Sequence, residues 1–559
     1  MLVPHLDKQC AVGKPRVLVR SRRLRVVIFA VAVLLATALL LLSQWTVKHS
    51  RHAVVTASLF ANLSVPQLPQ DPGGARRLRI FMPADSPHVN LCKSILSAVA
   101  LGYPPPTLLN WHGEFNRPEW HLAGSHIAKL ESLLAVIQDL LARVEDAQAD
   151  AVSQHDLVML VDAYDIWFQL PPSVLIERYH VLNRQADERL RRQWQAAQGF
   201  ATDFPISPPR QSIVVTSAKD CHPGKDSGTD PSYAHWPQSP IAHDLYGPET
   251  DGILAILDPA RRFRKVRPRC VNSGLIMGPL GALRHALLRC TQKVERIARS
   301  GRQLWSDQAL FGEVMGDQEL WREWMRELGA AWNGTAADMR GSRLPPKVRD
   351  IAGAALRNKR FEFGIGLDYN FTTIPPTCSA EEDGFFVRLD NVTAVQQQSA
   401  MAGVPGHARL HGVPADLRRA GRFDAALAAI PWGDVPLYSD FFFGTTPVGI
   451  HHNAYVDNLK PWRIDNWWSM MWFYPHLRRL VERNLRHGPS IVAKVAHPDD
   501  STAQDLEYWR GGDRFVTVFE PRTPGKGLHL PITWDAVCQK GAEPWHQVVF
   551  GDGMGPLLP

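Results

Sequence analysis

The chain of 559 residues lacks several features that mark common functional classes. It contains no Cys-X-X-Cys pattern, so a structural zinc site is not expected. It carries little net charge outside residues 1–25, because this basic tail accounts for most of the overall charge of +7. The nearly neutral remainder gives no support to nucleic-acid binding. Internal repeats are also absent from the sequence.

A long uncharged hydrophobic run follows the basic tail, from Val26 to Leu42. Continued to Trp45, it reaches the length of about 20 residues that a helix needs to cross a bilayer. The basic flank predicts a cytoplasmic N-terminus. The alternative is a cleaved secretory signal, but the run and its basic flank are both long for one. Either interpretation places the rest of the chain in a secretory lumen.

Cysteine is scarce, with seven residues, and only Cys10 precedes the hydrophobic run. The other six are Cys92, Cys221, Cys270, Cys290, Cys378 and Cys538. Their even number suits disulfides in an oxidising lumen, although six cysteines allow 15 pairings and the sequence selects none. Asn-X-Ser/Thr glycosylation acceptors agree with a lumenal body, and all lie beyond the run, at Asn62, Asn333, Asn370 and Asn391.

Apolar strand-like segments alternate with helical patterns over the first half of the body. The predicted strands are Arg76–Pro83, 106–111, Leu157–Asp165 and Ser212–Ala218, and the predicted helices are Val89–Tyr103 and Gly124–Asp146. Further on, 270–290 is interpreted as a glycine turn, a strand and a helix, 361–371 as a buried strand, and 465–485 as an aromatic-rich helix. This alternation predicts an α/β fold with a mainly parallel twisted sheet flanked by helices.

The segment LVMLVDAYDIWF, Leu157 to Phe168, places two carboxylates directly after an apolar strand. Ligands of parallel α/β sheets bind at the carboxyl ends of strands, where Asp162 and Asp165 lie. Both side chains could face one point and hold a divalent cation through oxygen ligands. The alternative is a turn in which each Asp bonds its own backbone, and an isolated D-x-x-D is more often such a turn.

Other segments favour the cation. The D-A-Y-D segment after an apolar strand resembles the D-x-D-type motif of GT-A glycosyltransferases, most closely that of the glycosyltransferase domain of procollagen lysyl hydroxylases. Further segments are similar to that domain: GSHIAKLESLL (124–134), CVNSGLIMG (270–278), WSDQALF (305–311), IGLDYN (365–370) and IHHN (450–453). NLKPW (458–462) is similar to the Lys-Pro-Trp ending of glycogenin-like enzymes. The resemblance spans roughly residues 76 to 465, with gaps.

The resemblance implies a GT-A-like fold and a metal-dependent reaction with a UDP-sugar donor. It implies that Asp162 and Asp165 bind the metal, usually Mn²⁺, and that Asp162 also contacts the donor. A histidine near the end of the domain would complete the coordination, as either His451 or His452. His451 is preferred, because with Asn453 it matches the H-x-N pattern of the family.

The remaining site residues are also implied by the resemblance. The donor-binding set would be Lys129, Asp162, Asn272, Ser273, Gly274, Gln308 and Lys460, with Lys460 on the β-phosphate. Lys129 could equally lie on the solvent face of its helix, and Asn272–Gly274 could be a plain tight turn. Asp307 would contact the donor sugar, or serve as the general base if the reaction inverts the anomeric configuration. Ser306 or Asp307 could instead simply cap a helix.

The sequence therefore predicts a single-pass type II membrane glycosyltransferase (hexosyltransferase) of the Golgi or ER. It would transfer a sugar from a UDP-sugar to a lumenal glycan, protein or lipid, with retention. The predicted organisation is a cytoplasmic tail (1–25), a transmembrane signal anchor (26–45), a lumenal stem (46–75), a nucleotide-sugar-binding part (76–335), an insertion that could bind the acceptor (336–430), a closing segment (431–490) and a C-terminal extension (491–559). The alternative is a non-catalytic glycan-binding or scaffolding member of the same fold.

Overall fold

A computed structural model gives the structure of this protein. It describes residues 27–44, 71–118, 120, 124–145, 152–196, 200–221, 227–253, 261–332, 344–421, 425–497 and 504–557. The predicted cytoplasmic tail, most of the predicted stem and two glycosylation acceptors, Asn62 and Asn333, lie outside these residues.

The first described element is an apolar helix, α1 (Val27–Gln44), with a mean hydropathy of 2.5 over 18 residues. Its length and composition fit a transmembrane span or a signal anchor. The helix coincides with the hydrophobic run of the sequence.

The body contains fourteen strands and thirteen further helices within the described residues. The strands are β1 (Gly74–Pro83), β2 (Thr107–Leu109), β3 (Leu157–Val161), β4 (Ile166–Phe168), β5 (Ile213–Ala218), β6 (Cys270–Pro279), β7 (Ile365–Asp368), β8 (Gly384–Arg388), β9 (Pro436–Asp440), β10 (Gly449–His451), β11 (Ser490–Val495), β12 (Leu506–Arg510), β13 (Thr517–Glu520) and β14 (Leu528–Pro531). The helices are α2 (Val89–Ala100), α3 (Gly124–Glu145), α4 (Pro172–Gln195), α5 (Leu280–Arg299), α6 (Asp307–Ala330), α7 (Pro346–Ala355), α8 (Val392–Ala402), α9 (Ala415–Arg419), α10 (Ala425–Ala428), α11 (Leu459–Asn466), α12 (Leu477–Arg486), α13 (Trp534–Cys538) and α14 (Trp545–Phe550).

A ten-stranded mixed sheet forms the centre of the fold, in the order β14-β13-β2-β1-β3-β6-β5-β7, with β12 paired to β1 and β11 paired to β12. Strand β1 pairs in parallel with β12, β2 and β3, whereas β6 is antiparallel to both β3 and β5. The prediction of an α/β fold with a mostly parallel sheet between helices is confirmed.

Strand β3 shows why the sheet takes two layers of helices. All five of its residues are buried, which is expected of a central strand covered on both faces. Its side chains alternate between two cores: Met159 packs in the core that includes α2, and Val158 and Leu160 pack in the core that includes α3 and α5. The alternation follows from the two-residue repeat of a strand.

Two disulfides join distant parts of the chain. Cys92 in α2 pairs with Cys538 in α13, and Cys221 pairs with Cys270 at the start of β6. Cys290 and Cys378 remain as thiols, so Cys290 does not pair with Cys270. The first disulfide fixes the predicted C-terminal extension to the body, and this segment also supplies β12 and β13 to the central sheet.

Three local predictions are wrong. The expected turn at Asn272–Gly274 is part of the continuous strand β6, which is hydrogen-bonded to a neighbour on each side. The aromatic-rich helix is broken after α11, where indole N–H groups bond separate partners: Trp468 donates to the Val549 carbonyl and Trp472 to that of Gln169. The buried strand expected over 361–371 is only the four residues of β7, which begins after Gly364 at a φ of 72°.

Candidate metal centre

A short two-stranded ribbon brings the two halves of the metal centre together. Strand β4 starts immediately after Asp165 and pairs antiparallel with β10, with His451 opposite Ile166. The backbone N–H of His452 donates to the carbonyl oxygen of Asp165 at 2.7 Å. The ribbon therefore fixes His451 beside the carboxylates, although 286 residues separate it from Asp165.

Asp162, Asp165 and His451 form a group whose three potential ligand atoms all lie within 4.8 Å of one another. Nε2 of His451 is 3.6 Å from Oδ2 of Asp162 and 3.6 Å from Oδ2 of Asp165. A distance of 3.6 Å is too long for a hydrogen bond. Nδ1 of the same ring is buried without a hydrogen-bond partner among the described residues.

These distances fit a shared divalent cation. Metal–ligand bonds of about 2.1 Å place neighbouring octahedral donors about 3.0 Å apart and opposite donors about 4.2 Å apart. Shifts of roughly half an ångström would bring the three donors to such positions. Two carboxylate oxygens and an imidazole nitrogen suit Mn²⁺ and similar ions.

The close approach of His451 depends on a glycine. A Cβ atom built on Gly274 would lie 2.4 Å from Nδ1 and 2.5 Å from Cε1 of the imidazole. Gly274 also accepts the backbone N–H of Asp162 at 3.0 Å. This residue was expected to bind the donor, and in the structure it lies directly against the predicted metal ligand.

His452 has a different environment from His451. Its ring centroid lies 4.2 Å from that of Trp167, and neither ring nitrogen has a hydrogen-bond partner within the part of the chain that the structure describes. Burial, followed by the positive charge of Arg463, lowers the pKa of His452 well below its ordinary value. The structure therefore brings His451, and not His452, to the two carboxylates.

Lys129 in α3 is buried and does not face solvent. Its ammonium group lies 2.5 Å from Oδ1 of Asp162, 3.0 Å from Oδ2 of Asp307 and 2.7 Å from the Ser273 carbonyl oxygen. Burial alone would lower the pKa of Lys129, but Asp162 and Asp307 raise it above its ordinary value. The contacts with Asp162 and the Ser273 carbonyl are hydrogen bonds, whereas the contact with Asp307 is an ion pair. Lys129 therefore orients Asp162 and Asp307.

Asp307 is the first residue of α6, and Ser306 caps this helix by accepting the N–H of Ala309 at 3.1 Å. Burial of Asp307 opposes its ionised form and is the largest single influence, but the charges of Lys129 and His126 together with hydrogen bonding outweigh it, and the pKa of Asp307 is lowered. An efficient general base has a pKa near the working pH. The environment of Asp307 thus argues against the role of general base.

Lys460, on α11, lies beside Asp165 of the candidate metal centre. Its ammonium group is 2.7 Å from Oδ2 of Asp165. Burial opposes ionisation of Asp165, but the His451 and Lys460 charges hold the pKa of this carboxyl below its ordinary value. Burial lowers and Asp165 raises the pKa of Lys460, and the net shift is upward. Lys460 therefore remains charged beside the predicted metal position.

Asn272, Ser273 and Gln308 form one wall of the site. The Asn272 side chain donates from Nδ2 to Oε1 of Gln308 at 3.2 Å and accepts the Gly274 N–H at 3.1 Å. The Ser273 carbonyl accepts from Lys129. The structure thus places the predicted polar residues of β6 and α6 beside the metal centre.

The site opens into a cavity of about 650 Å³. Its lining includes every predicted site residue except Gly274. It also includes several residues that sequence reasoning did not assign to the site: Asp85, Asn110, His126, Tyr164, Asp220, Trp305, Cys378, Asn453 and Tyr455. Some of these had a usable signal, because Asp85, Asn110 and Asp220 lie within two residues of the ends of β1, β2 and β5. Tyr455 and Cys378 had no comparable signal in the sequence.

Comparisons with known proteins do not identify a family for this chain. No protein-family model matches the chain, and no similar protein is found among curated sequences. The functional argument therefore depends on the geometry and chemistry of this site.

Proposed function

We propose that this protein is a metal-dependent glycosyltransferase with a GT-A-like fold. It transfers a sugar from a UDP-sugar to a lumenal glycan, protein or lipid, with retention of the anomeric configuration. The observation that carries the proposal is the convergence of Asp162, Asp165 and His451, with Lys460 beside them, at one end of a cavity large enough for a nucleotide sugar.

The proposed reaction breaks the bond between the anomeric carbon of the donor and an oxygen of its β-phosphate. A new bond forms between that carbon and the acceptor hydroxyl oxygen, and the hydroxyl proton passes to the departing phosphate. A divalent cation at Asp162, Asp165 and His451 would supply Lewis-acid stabilisation of the diphosphate. Lys460 contributes a second positive charge close to the same leaving group.

Retention is favoured by the environment of Asp307. An inverting reaction needs a general base opposite the leaving group. Asp307, the carboxylate expected for that role, is held by Lys129 in an ion pair of 3.0 Å, and its pKa is lowered. A retaining reaction in which the leaving phosphate accepts the proton needs no such base. Asp307 then serves to accept hydrogen bonds from donor hydroxyl groups.

The proposed location is the lumen of the Golgi or ER, with α1 as a type II membrane anchor. The apolar helix near the N-terminus supports an anchor by its length and composition. The disulfides Cys92–Cys538 and Cys221–Cys270 support an oxidising compartment.

The proposal is tested by nucleotide release from the purified full-length chain. A panel of UDP-sugars is incubated with and without Mn²⁺, and UDP is measured over time. We expect Mn²⁺-dependent release from at least one donor, and a loss of about 100-fold or more in Asp165→Asn. The matched control is Asp203→Asn, because Asp203 is exposed and does not line the cavity. Binding of UDP and Mn²⁺ without turnover would instead support a non-catalytic member of the fold.

A further inference from the structure

Few aromatic side chains of this aromatic-rich chain are exposed. Beyond α1, the exposed Trp, Tyr and Phe side chains of the described residues are Trp305, Tyr455, Trp462 and Phe515. Two of these four, Trp305 and Tyr455, line the cavity that holds the metal centre. Exposed aromatic rings gathered at a cavity indicate binding, because a ring left in water forgoes the free energy of burial.

The two rings come from distant parts of the chain, and each adjoins a charged residue of the site. Trp305 immediately precedes Ser306 and Asp307, at the N-terminus of α6. Tyr455 follows β10 and is exposed over 73% of its surface. The Lys460 ammonium group lies 5.1 Å from the centroid of the Tyr455 ring. Tyr455 is therefore on the leaving-group side, where the acceptor of a retaining reaction must enter.

The charge of the lining restricts what can occupy the cavity. Five aspartates and two lysines line it, at Asp85, Asp162, Asp165, Asp220, Asp307, Lys129 and Lys460. Their formal charge is −3 without a cation and −1 with a divalent cation in place. A nucleotide diphosphate adds further negative charge. An acceptor that carries carboxylate or sulfate groups would enter against this charge.

We propose that the acceptor is an uncharged saccharide that packs on Trp305 and Tyr455. The inference rests on the proposed glycosyl transfer and names its acceptor class. A pyranose has an apolar C–H face, which suits an aromatic ring, and a polar edge of hydroxyl groups. Side chains of Asn453 and Asp220 in the lining can bond that edge. One acceptor hydroxyl gives its oxygen to the anomeric carbon and its proton to the departing phosphate.

The first experiment compares acceptors with the full-length chain, Mn²⁺ and the donor that releases UDP. The probes are methyl glucoside, methyl galactoside, lactose and maltose. Methyl glucuronide is the charged match to methyl glucoside, and a serine peptide and dolichol represent the other classes. We expect an uncharged saccharide to increase UDP release and to form a glycosylated product. We expect the KM of methyl glucuronide to exceed that of methyl glucoside by about tenfold or more.

The second experiment changes the rings. Tyr455→Ala and Trp305→Ala should each raise the KM of the saccharide acceptor by about tenfold, which corresponds to the loss of one stacking contact. Tyr455→Phe keeps the ring and should stay within about threefold of the native KM. Phe515→Ala is the matched control, because Phe515 is exposed but lies outside the cavity lining. The KM of the donor is measured in every variant.

The outcomes separate the two proposals. If no UDP-sugar is turned over with Mn²⁺, the proposed function fails, and the acceptor inference fails with it. If the donor is hydrolysed but only the peptide or dolichol increases UDP release, the acceptor inference alone is overturned. It is also overturned if the ring variants raise the KM of the donor and leave that of the saccharide unchanged. Equal use of methyl glucoside and methyl glucuronide would overturn the requirement for an uncharged acceptor.

Discussion

The contact between Gly274 and His451 gives a sharp test of the metal centre. In Gly274→Ala, the added methyl carbon would lie 2.4 Å from Nδ1 and 2.5 Å from Cε1 of the imidazole, and 2.9 Å from Oδ1 of Asn272. Unstrained contacts between such atoms are about 3.5 Å. The ring of His451 must therefore move by about 1 Å, or β6 must shift by a similar distance.

The surrounding hydrogen bonds hold the backbone in place, so the imidazole ring of His451 is the part that moves. The backbone of His451 is held in β10, and its carbonyl oxygen accepts from both the N–H and the hydroxyl of Thr377, at 3.1 and 2.8 Å. Strand β6 is anchored before and after Gly274, because Cys270–Asn272 pair with β5 and Leu275–Pro279 pair with β3, although its register with β5 shifts between Asn272 and Ile276. The ring must consequently rotate, and Nε2 leaves its position near Asp162 and Asp165. We expect the affinity for Mn²⁺ to fall by about 10- to 100-fold.

The assay is a calorimetric titration of the full-length chain with Mn²⁺. Gly488→Ala is the control, because a Cβ atom at Gly488 meets no other atom within 4 Å. Overpacking at Gly274 should also lower stability by about 1–3 kcal/mol, so the melting temperature of each variant is recorded separately. Native Mn²⁺ affinity in a folded Gly274→Ala variant would refute the placement of His451 against β6 and remove its Nε2 from the ligand set.

Two further predictions concern buried charges, one in the site and one outside it. Lys129→Met leaves Asp162 and Asp307 without their shared cation, so the free energy of unfolding at pH 7 should fall by about 3–5 kcal/mol. This deficit should shrink as pH falls and the carboxylates are protonated, and an unchanged melting temperature at pH 7 would contradict the ion pairs. For Asp440, burial and the charge of Asp383 raise the pKa from 3.8 to about 7. The folded state therefore keeps a proton that the unfolded chain has lost, and stability should fall by up to about 4 kcal/mol as pH rises from about 4 to about 7. Asp440→Asn keeps an oxygen for the two backbone N–H groups that Oδ1 accepts and should remove this decline, whereas a native pH slope in the variant would refute the assignment.

The α/β fold could be predicted because its first strands have strong local signals. Strand β3 is a continuous apolar run, and its end at Val161 puts Asp162 at the carboxyl edge, as expected. The order of the strands in the sheet could not be predicted from such local signals. Residues 506–510 and 517–520 are short segments near the C-terminus, yet they become β12 and β13 of the central sheet. Their pairing depends on contacts with β1 and β2, which are hundreds of residues away.

The grouping of Asp162, Asp165 and His451 as a candidate metal centre could also be predicted, but the way in which they are positioned could not. The choice of His451 relied on a resemblance and a three-residue pattern, whereas its position depends on the pairing of β4 with β10. The sequence allowed two interpretations of Lys129: a contact with the donor, or a position on the solvent face of its helix. Neither describes a lysine that is buried between two carboxylates. A local pattern carries no information on such a three-way contact, because the partners come from α3, the end of β3 and α6.

The two lysines of the site explain how a buried strand can end in two carboxylates. A buried carboxylate needs a compensating charge or hydrogen bonds. Lys129 has a side chain only 7% exposed, hydrogen-bonds Asp162 and the Ser273 carbonyl and forms an ion pair with Asp307, so it stabilises the site whether or not a ligand is bound. Lys460 serves Asp165, and its side chain is 26% exposed at the cavity. Because a divalent cation would itself neutralise Asp165, its binding would free Lys460 to face a diphosphate. The buried Lys129 thus stabilises the site, whereas the partly exposed Lys460 is available to a ligand.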